Sequence, residues 1–67
     1  MYRICVNGEE ERLDQVVTIG TFLKKKGYRI QRIAVEKNGK IVSRNNYDDT
    51  ILEEGDQLEI VSFVGGG

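Results

Sequence analysis

The 67-residue chain contains no histidine and only one cysteine. Without histidine, the commonest general base of enzyme chemistry is missing. A lone thiol, Cys5, makes neither an internal disulfide nor a cysteine-rich metal site. Within an apolar strand pattern it reads as a small strand residue. No apolar run approaches the roughly 18 residues of a membrane span. The start, Met1-Tyr2-Arg3-Ile4-Cys5, lacks the layout of a secretory leader, so the expected location is cytoplasmic. An excess of positive charge is also lacking. Ten basic and eleven acidic residues leave a net charge of −1, with no broad basic face to neutralise phosphates. Neither nucleic acid nor membrane is an expected partner. Carboxylates are plentiful, but they come in runs: Glu9-Glu10-Glu11, Asp48-Asp49 and Glu53-Glu54. Such runs are the pattern of a solvated face, and no metal site is expected from them. These absences point to a substrate or carrier for another enzyme, with no catalytic residue of its own.

The chain is rich in glycine at one place, the run Gly65-Gly66-Gly67. Glycines pack little and lose much entropy on ordering, so they finish a fold poorly. They do suit delivery of a terminal carboxylate into a narrow channel, because three extended residues reach about 10 Å without side chains in the way. On the tail alone, a frayed terminus or an engineered linker would look the same. The preceding segment argues for the first reading. Leu58 to Val64 is rich in β-branched and aromatic residues and reads as a strand, so the glycines leave directly from a rigid element. The expected division is a domain over residues 1–64 and a flexible tail over residues 65–67.

The rest reads as one small domain. Tyr2 to Val6 alternates, with Tyr2, Ile4 and Val6 on one side. Asn7-Gly8 supplies a tight hairpin turn, and a polar edge strand is expected over about residues 10–15. Thr18 is a candidate helix N-cap. Ile19, Phe22 and Leu23 form one apolar stripe. Lys24-Lys25-Lys26 suits the C-terminal end of a helix dipole, and Gly27 stops the helix. Residues 33–37 and 40–42 read as a second hairpin around Asn38-Gly39. Arg44 to Thr50 is irregular, with Tyr47 as an anchor to the core, and a turn at residues 54–57 precedes the last strand. The order is β-β-α-β-β-β. One mixed sheet covered on one face by one helix buries these stripes economically. The first and last strands are expected to pair in parallel at its centre.

From Val35-Glu36-Lys37-Asn38-Gly39-Lys40-Ile41-Val42 through Arg44, Tyr47 and Leu52-Glu53-Glu54-Gly55-Asp56 to Leu58-Glu59-Ile60-Val61-Ser62-Phe63-Val64-Gly65-Gly66-Gly67, the chain resembles the sulfur carrier proteins of thiamine biosynthesis. The resemblance extends over essentially the whole chain, and the ending Phe-Val-Gly-Gly-Gly is its specific part. It implies an α+β fold of the β-grasp, ubiquitin-like type. It implies that an adenylating enzyme uses ATP to activate Gly67, that sulfur from a donor system then gives a thiocarboxylate, and that thiazole synthase takes the sulfur. No bound cofactor is implied. Gly67 would carry first the adenylate and then the sulfur, while Gly65 and Gly66 thread the partner's channel. The small subunit of molybdopterin synthase has the same fold and a Gly-Gly end, so the tail does not separate the two. A β-grasp interaction module without covalent chemistry is a third reading.

Alternation in the last strand suggests a docking surface. If Leu58, Ile60 and Ser62 face the helix, Val61 and Phe63 face away from it, and Val61, Phe63 and Val64 become the residues to meet a partner. The acidic group Glu53, Glu54, Asp56 and Glu59 is either solvated surface or a means of steering the tail toward a basic partner. The basic group Lys24, Lys25, Lys26, Arg29 and Arg32 reads as an ordinary helix end and loop.

Overall fold

The computed structural model describes residues 1–63. Val64 and the expected tail Gly65–Gly67 lie outside the described residues. The chain runs β1 (Tyr2–Val6), β2 (Glu9–Leu13), α1 (Ile19–Lys26), β3 (Ile33–Lys37), β4 (Lys40–Val42) and β5 (Gln57–Ser62). Short 3-10 turns occupy Ile30–Arg32 and Arg44–Asp49.

Both hairpins form where an Asn-Gly pair allows them. Asn7 and Asn38 have φ of 51° and 53°, and Gly8 and Gly39 both have φ of 85°. Positive φ at both central residues is what a two-residue type I′ turn needs, and its twist matches that of the strands. The first turn fixes the register at Val6↔Glu9 through Tyr2↔Leu13. This is why β2 spans Glu9–Leu13 and not the expected residues 10–15: beyond Leu13 no residue of β1 remains to pair with Asp14 or Gln15.

The helix keeps its expected limits. Thr18 caps its start, with the Thr21 amide donating to Thr18 Oγ1 at 3.1 Å. Gly27, at φ 84°, ends it in a left-handed cap. The Gly27 amide donates to the Lys24 carbonyl at 3.1 Å and the Tyr28 amide to the Leu23 carbonyl at 3.0 Å. That pair of bonds is a Schellman motif. At Gly20 the helix approaches the 3-10 segment so closely that a Cβ would run into the Asp48 carboxylate.

The strands assemble as one five-stranded mixed sheet in the order β2-β1-β5-β3-β4. β5 pairs in parallel with β1 (Cys5↔Gln57, Val6↔Leu58) and antiparallel with β3 (Ile33↔Ser62 through Lys37↔Leu58). Ile4, Val6, Ile33, Val35, Leu58 and Ile60 of the sheet meet Ile19, Phe22 and Leu23 of the helix, with Tyr47 and Leu52 completing the core. Ile19, Leu23, Val35, Leu52 and Leu58 are the most completely enclosed of these. Each such aliphatic side chain stabilises the fold by about 1.5–3 kcal/mol relative to exposure. An eight-residue helix is marginal alone and owes its persistence to this burial. The arrangement is a β-grasp: a mixed sheet holding a single α-helix.

Candidate functional site

β5 is the last strand before the run Gly65-Gly66-Gly67 in the sequence, and it is the central strand of the sheet. Its neighbours are β1 on one side and β3 on the other. Two asparagine side chains add to the backbone ladders. Asn7 Nδ2 donates to the Ile60 carbonyl at 3.2 Å, and Asn7 Oδ1 accepts from the Ile60 amide at 2.7 Å. From the other hairpin, Asn38 Oδ1 accepts from the Gln57 amide at 2.9 Å, and the Asn38 amide donates to the Gln57 carbonyl at 2.8 Å. The last described bond is made by Phe63, whose amide donates to the Arg32 carbonyl at 2.7 Å. The chain is therefore fixed up to the residue before Val64.

Burial alternates along β5 as expected at its start. Leu58 and Ile60 face the helix, while Glu59 and Val61 face away. The alternation then ends. Ser62, expected to face the helix, is exposed. β5 also closes at Ser62, short of the expected Val64, because β3 begins at Ile33 and offers no partner further along. Val61 is 58% exposed and Phe63 55%. Val61 stands opposite Ala34 of β3 in the sheet register. Another exposed apolar group, Val16 and Ile51 beside Tyr2, lies near the start of β1. By register that is the end of the sheet away from Phe63. Of the two groups, Val61 and Phe63 are the ones that accompany the tail. Val64, Gly65, Gly66 and Gly67 fall outside the described residues.

The acidic group does not form a guide for the tail. Glu53 and Glu54 precede β5 and sit at the end opposite Phe63. Asp56 is only 7% exposed and faces inward. Its Oδ2 accepts from the Glu53 amide at 2.8 Å and lies 3.7 Å from Lys37 Nζ, while its Oδ1 accepts from Asn38 Nδ2 at 3.0 Å. This carboxylate ties the turn before β5 to the β3–β4 hairpin. Sequence reasoning placed it on the surface because a turn acid that bonds backbone has no signature separate from one that is solvated. Glu59 alone of the four lies along the exposed face of β5, opposite Glu36.

Chemistry elsewhere is sparse. Cys5 is partly exposed and free. Among the described residues no group of three or more potential ligands is placed to hold a metal ion. No helix of the described residues is long and apolar enough to cross a membrane.

Comparison with known proteins gives a consistent picture. The model of the ThiS family matches residues 2–67, a span that includes the glycine run. The thiamine biosynthesis protein ThiS of Geobacter metallireducens has the same fold, with a TM-score of 0.82 and 29% sequence identity, covering 97% of this chain and 99% of that one. A thiazole synthase of Paramagnetospirillum magneticum is 37% identical over 65 residues, covering 97% of this chain and 20% of the relative. One from Magnetococcus marinus is 38% identical over the same length and the same shares. The chain thus spans about a fifth of the length of these thiazole synthases.

Proposed function

The chain belongs to the ThiS family, and on that premise we propose that it is a sulfur carrier, loaded at Gly67, that donates sulfur for thiazole formation in thiamine biosynthesis. The observation that carries this reading is the coupling of a rigid strand to a glycine run. β5 is bonded on the β1 side through Asn7 as far as Ile60 and on the β3 side as far as Phe63, and four residues beyond Phe63 the matched family span ends at Gly67.

The chemistry follows from the poor electrophilicity of a carboxylate, whose leaving group would be oxide. In the proposed sequence a Gly67 carboxylate oxygen attacks the α-phosphorus of ATP, and pyrophosphate leaves. A sulfide-level nucleophile, hydrosulfide from a donor system, then attacks the acyl carbon, AMP leaves and a proton is lost. The product is a thiocarboxylate, and its sulfur passes to thiazole synthase. The partner enzyme supplies orientation. The carrier supplies reach and an unobstructed passage: Gly65 and Gly66 have no side chains to block a channel. Val61 and Phe63 provide apolar area beside the exit, and Val64 continues it in sequence. ATP belongs to the adenylating partner, and the carrier itself needs no bound cofactor. That relatives named thiazole synthase contain a stretch similar to this chain supports a working association with that activity.

The test is mass spectrometry of the protein after incubation with ATP, an active ThiS-type adenylating enzyme and a sulfur donor. The expected product is heavier by the difference between sulfur and oxygen, with fragmentation placing the change at Gly67. Modification at Cys5, or no modification by an enzyme active on another carrier, overturns the assignment.

A further inference from the structure

The end of β5 carries a charge pattern that the carrier reading alone does not explain. β3 starts where β5 stops, at Ile33↔Ser62. The residue just before β3, Arg32, holds the Phe63 amide through its carbonyl. Arg32 closes the short 3-10 turn that Arg29 caps, and its own amide donates to the Arg29 carbonyl at 2.9 Å. Both arginines are therefore tied to the exit of the tail. β4 runs antiparallel to β3 toward the same end, and Arg44 follows two residues after Val42. All three arginines are exposed.

Arg3, Arg12, Lys26 and Lys37 are each within salt-bridge distance of a carboxylate. Six basic side chains are without a carboxylate at that distance among the described residues, and Arg29, Arg32 and Arg44 are the ones at this end of β5, while Lys24 and Lys25 lie on α1 and Lys40 on β4 opposite Lys37. Of the acids, Glu53 and Glu54 lie before the start of β5, Glu36 and Glu59 are paired at mid-sheet, and Glu9 is across β1 at the level of Leu58. Asp48 and Asp49 close the 3-10 segment that Arg44 opens, with Asp48 against Gly20 at the start of the helix. The molecule has a net charge of −1, yet it presents a positive rim where the tail leaves.

We propose that Arg29, Arg32 and Arg44 dock against an acidic border surrounding the tail-accepting opening of the adenylating partner. The proposal rests on the carrier reading above. Reach favours a protein border over the nucleotide. Gly67 lies four residues beyond Phe63 in sequence, a span of up to about 14 Å. Groups beside Phe63 are therefore positioned for the mouth of the channel, with the phosphates deeper inside. Guanidinium groups suit carboxylates because their planar fork bonds them in pairs. Complementary charge at such a rim acts mainly on the rate of encounter and weakens with salt.

The experiment measures adenylation of the full chain by a ThiS-type activating enzyme with ATP, at low and high salt, together with binding of the unreacted chain by titration. The variants are Arg29→Gln/Arg32→Gln/Arg44→Gln, Arg29→Glu/Arg32→Glu, and Glu53→Lys/Glu54→Lys as the far-end control. In the parent, kcat/KM should fall as salt rises. The neutral triple variant should lose about tenfold at low salt and most of the salt dependence, with kcat at saturation kept. Charge reversal should lose more, and the far-end control should match the parent. All variants should melt as the parent does, since the replaced groups are exposed. A parent that is adenylated at salt-independent rates, or a triple variant that matches it, overturns the rim and leaves the carrier reading standing. A parent that binds with salt dependence but is never adenylated keeps the rim and overturns the carrier reading.

Discussion

The side chain of Asn7 is paired with Ile60 at both ends of its amide, accepting from the Ile60 amide at 2.7 Å and donating to its carbonyl at 3.2 Å. The two residues are 53 positions apart in sequence. The bond pair continues the parallel β1–β5 ladder past the last backbone pairing, Val6↔Leu58. Asn7 thus has two tasks that conflict for most residues. Its backbone adopts a left-handed turn, and its side chain imitates one more residue of strand. Asparagine tolerates the first because its short polar side chain suits positive φ. It performs the second because its amide offers one donor and one acceptor, like a peptide unit.

Asn7→Ala should therefore be costly for an exposed position. It removes two hydrogen bonds and puts at φ 51° a residue that tolerates the left-handed region less well than asparagine, a combined loss of about 2–4 kcal/mol. In a domain of this size that lowers the melting temperature by roughly 10 °C or more. Thermal unfolding checks it, and a shift of only a degree or two would show that the Asn7–Ile60 pair contributes little. Asn7→Gly should recover the turn but not the bonds, and should fall between the two.

Asp56 should behave as a structural acid. Asp56→Ala leaves the Glu53 amide and the Asn38 side-chain amide without their acceptor. Leaving buried donors unpaired costs about 1–3 kcal/mol each. Denaturant midpoints should drop clearly for Asp56→Ala and hardly at all for the exposed neighbours Glu53→Ala and Glu54→Ala. Equal effects for all three would mean that Asp56 is only another surface charge.

Phe63 should separate binding from stability. A core Phe→Ala change costs about 3–5 kcal/mol, whereas Phe63 is more than half exposed. Phe63→Ala is expected to unfold near the parent temperature while binding the adenylating enzyme or thiazole synthase less tightly. A stability loss of core size with unchanged binding per folded molecule would reassign Phe63 to the fold.

The tail should be separable from the domain in the same way. Removing Gly67, or replacing Gly66 with a bulky residue, is expected to abolish thiocarboxylate formation. Circular dichroism and melting should match the parent, because glycines have no side chains to add to a core. A variant that still forms thiocarboxylate at the parent rate would place the chemistry elsewhere.

Local chemistry made much of this molecule legible from its residues alone. Thr18, the Ile19–Phe22–Leu23 stripe and Gly27 define the helix to the residue, because caps and periodicity act within one or two turns of chain. The two Asn-Gly pairs fix both hairpins for the same reason. The apolar alternation of Tyr2–Val6 and of Leu58–Ile60 marks the buried side of each strand. The glycine run after a β-branched strand carries the resemblance that the family match supports.

What depends on partners distant in the chain was decided by tertiary structure. The end of β2 at Leu13 and of β5 at Ser62 follow from where β1 and β3 run out of residues to pair. The inward turn of Asp56 needs Asn38, Lys37 and the Glu53 amide in place around it. The exposure of Val61 and Phe63 depends on which sheet face the helix covers. The positive rim exists only because the Ile30–Arg32 turn and the end of β4 converge on the exit of β5. Sequence sets the conformations that neighbouring residues prefer, since those energies are local. Which charges and apolar groups share a surface is set by strand order and register, which join segments far apart in the chain.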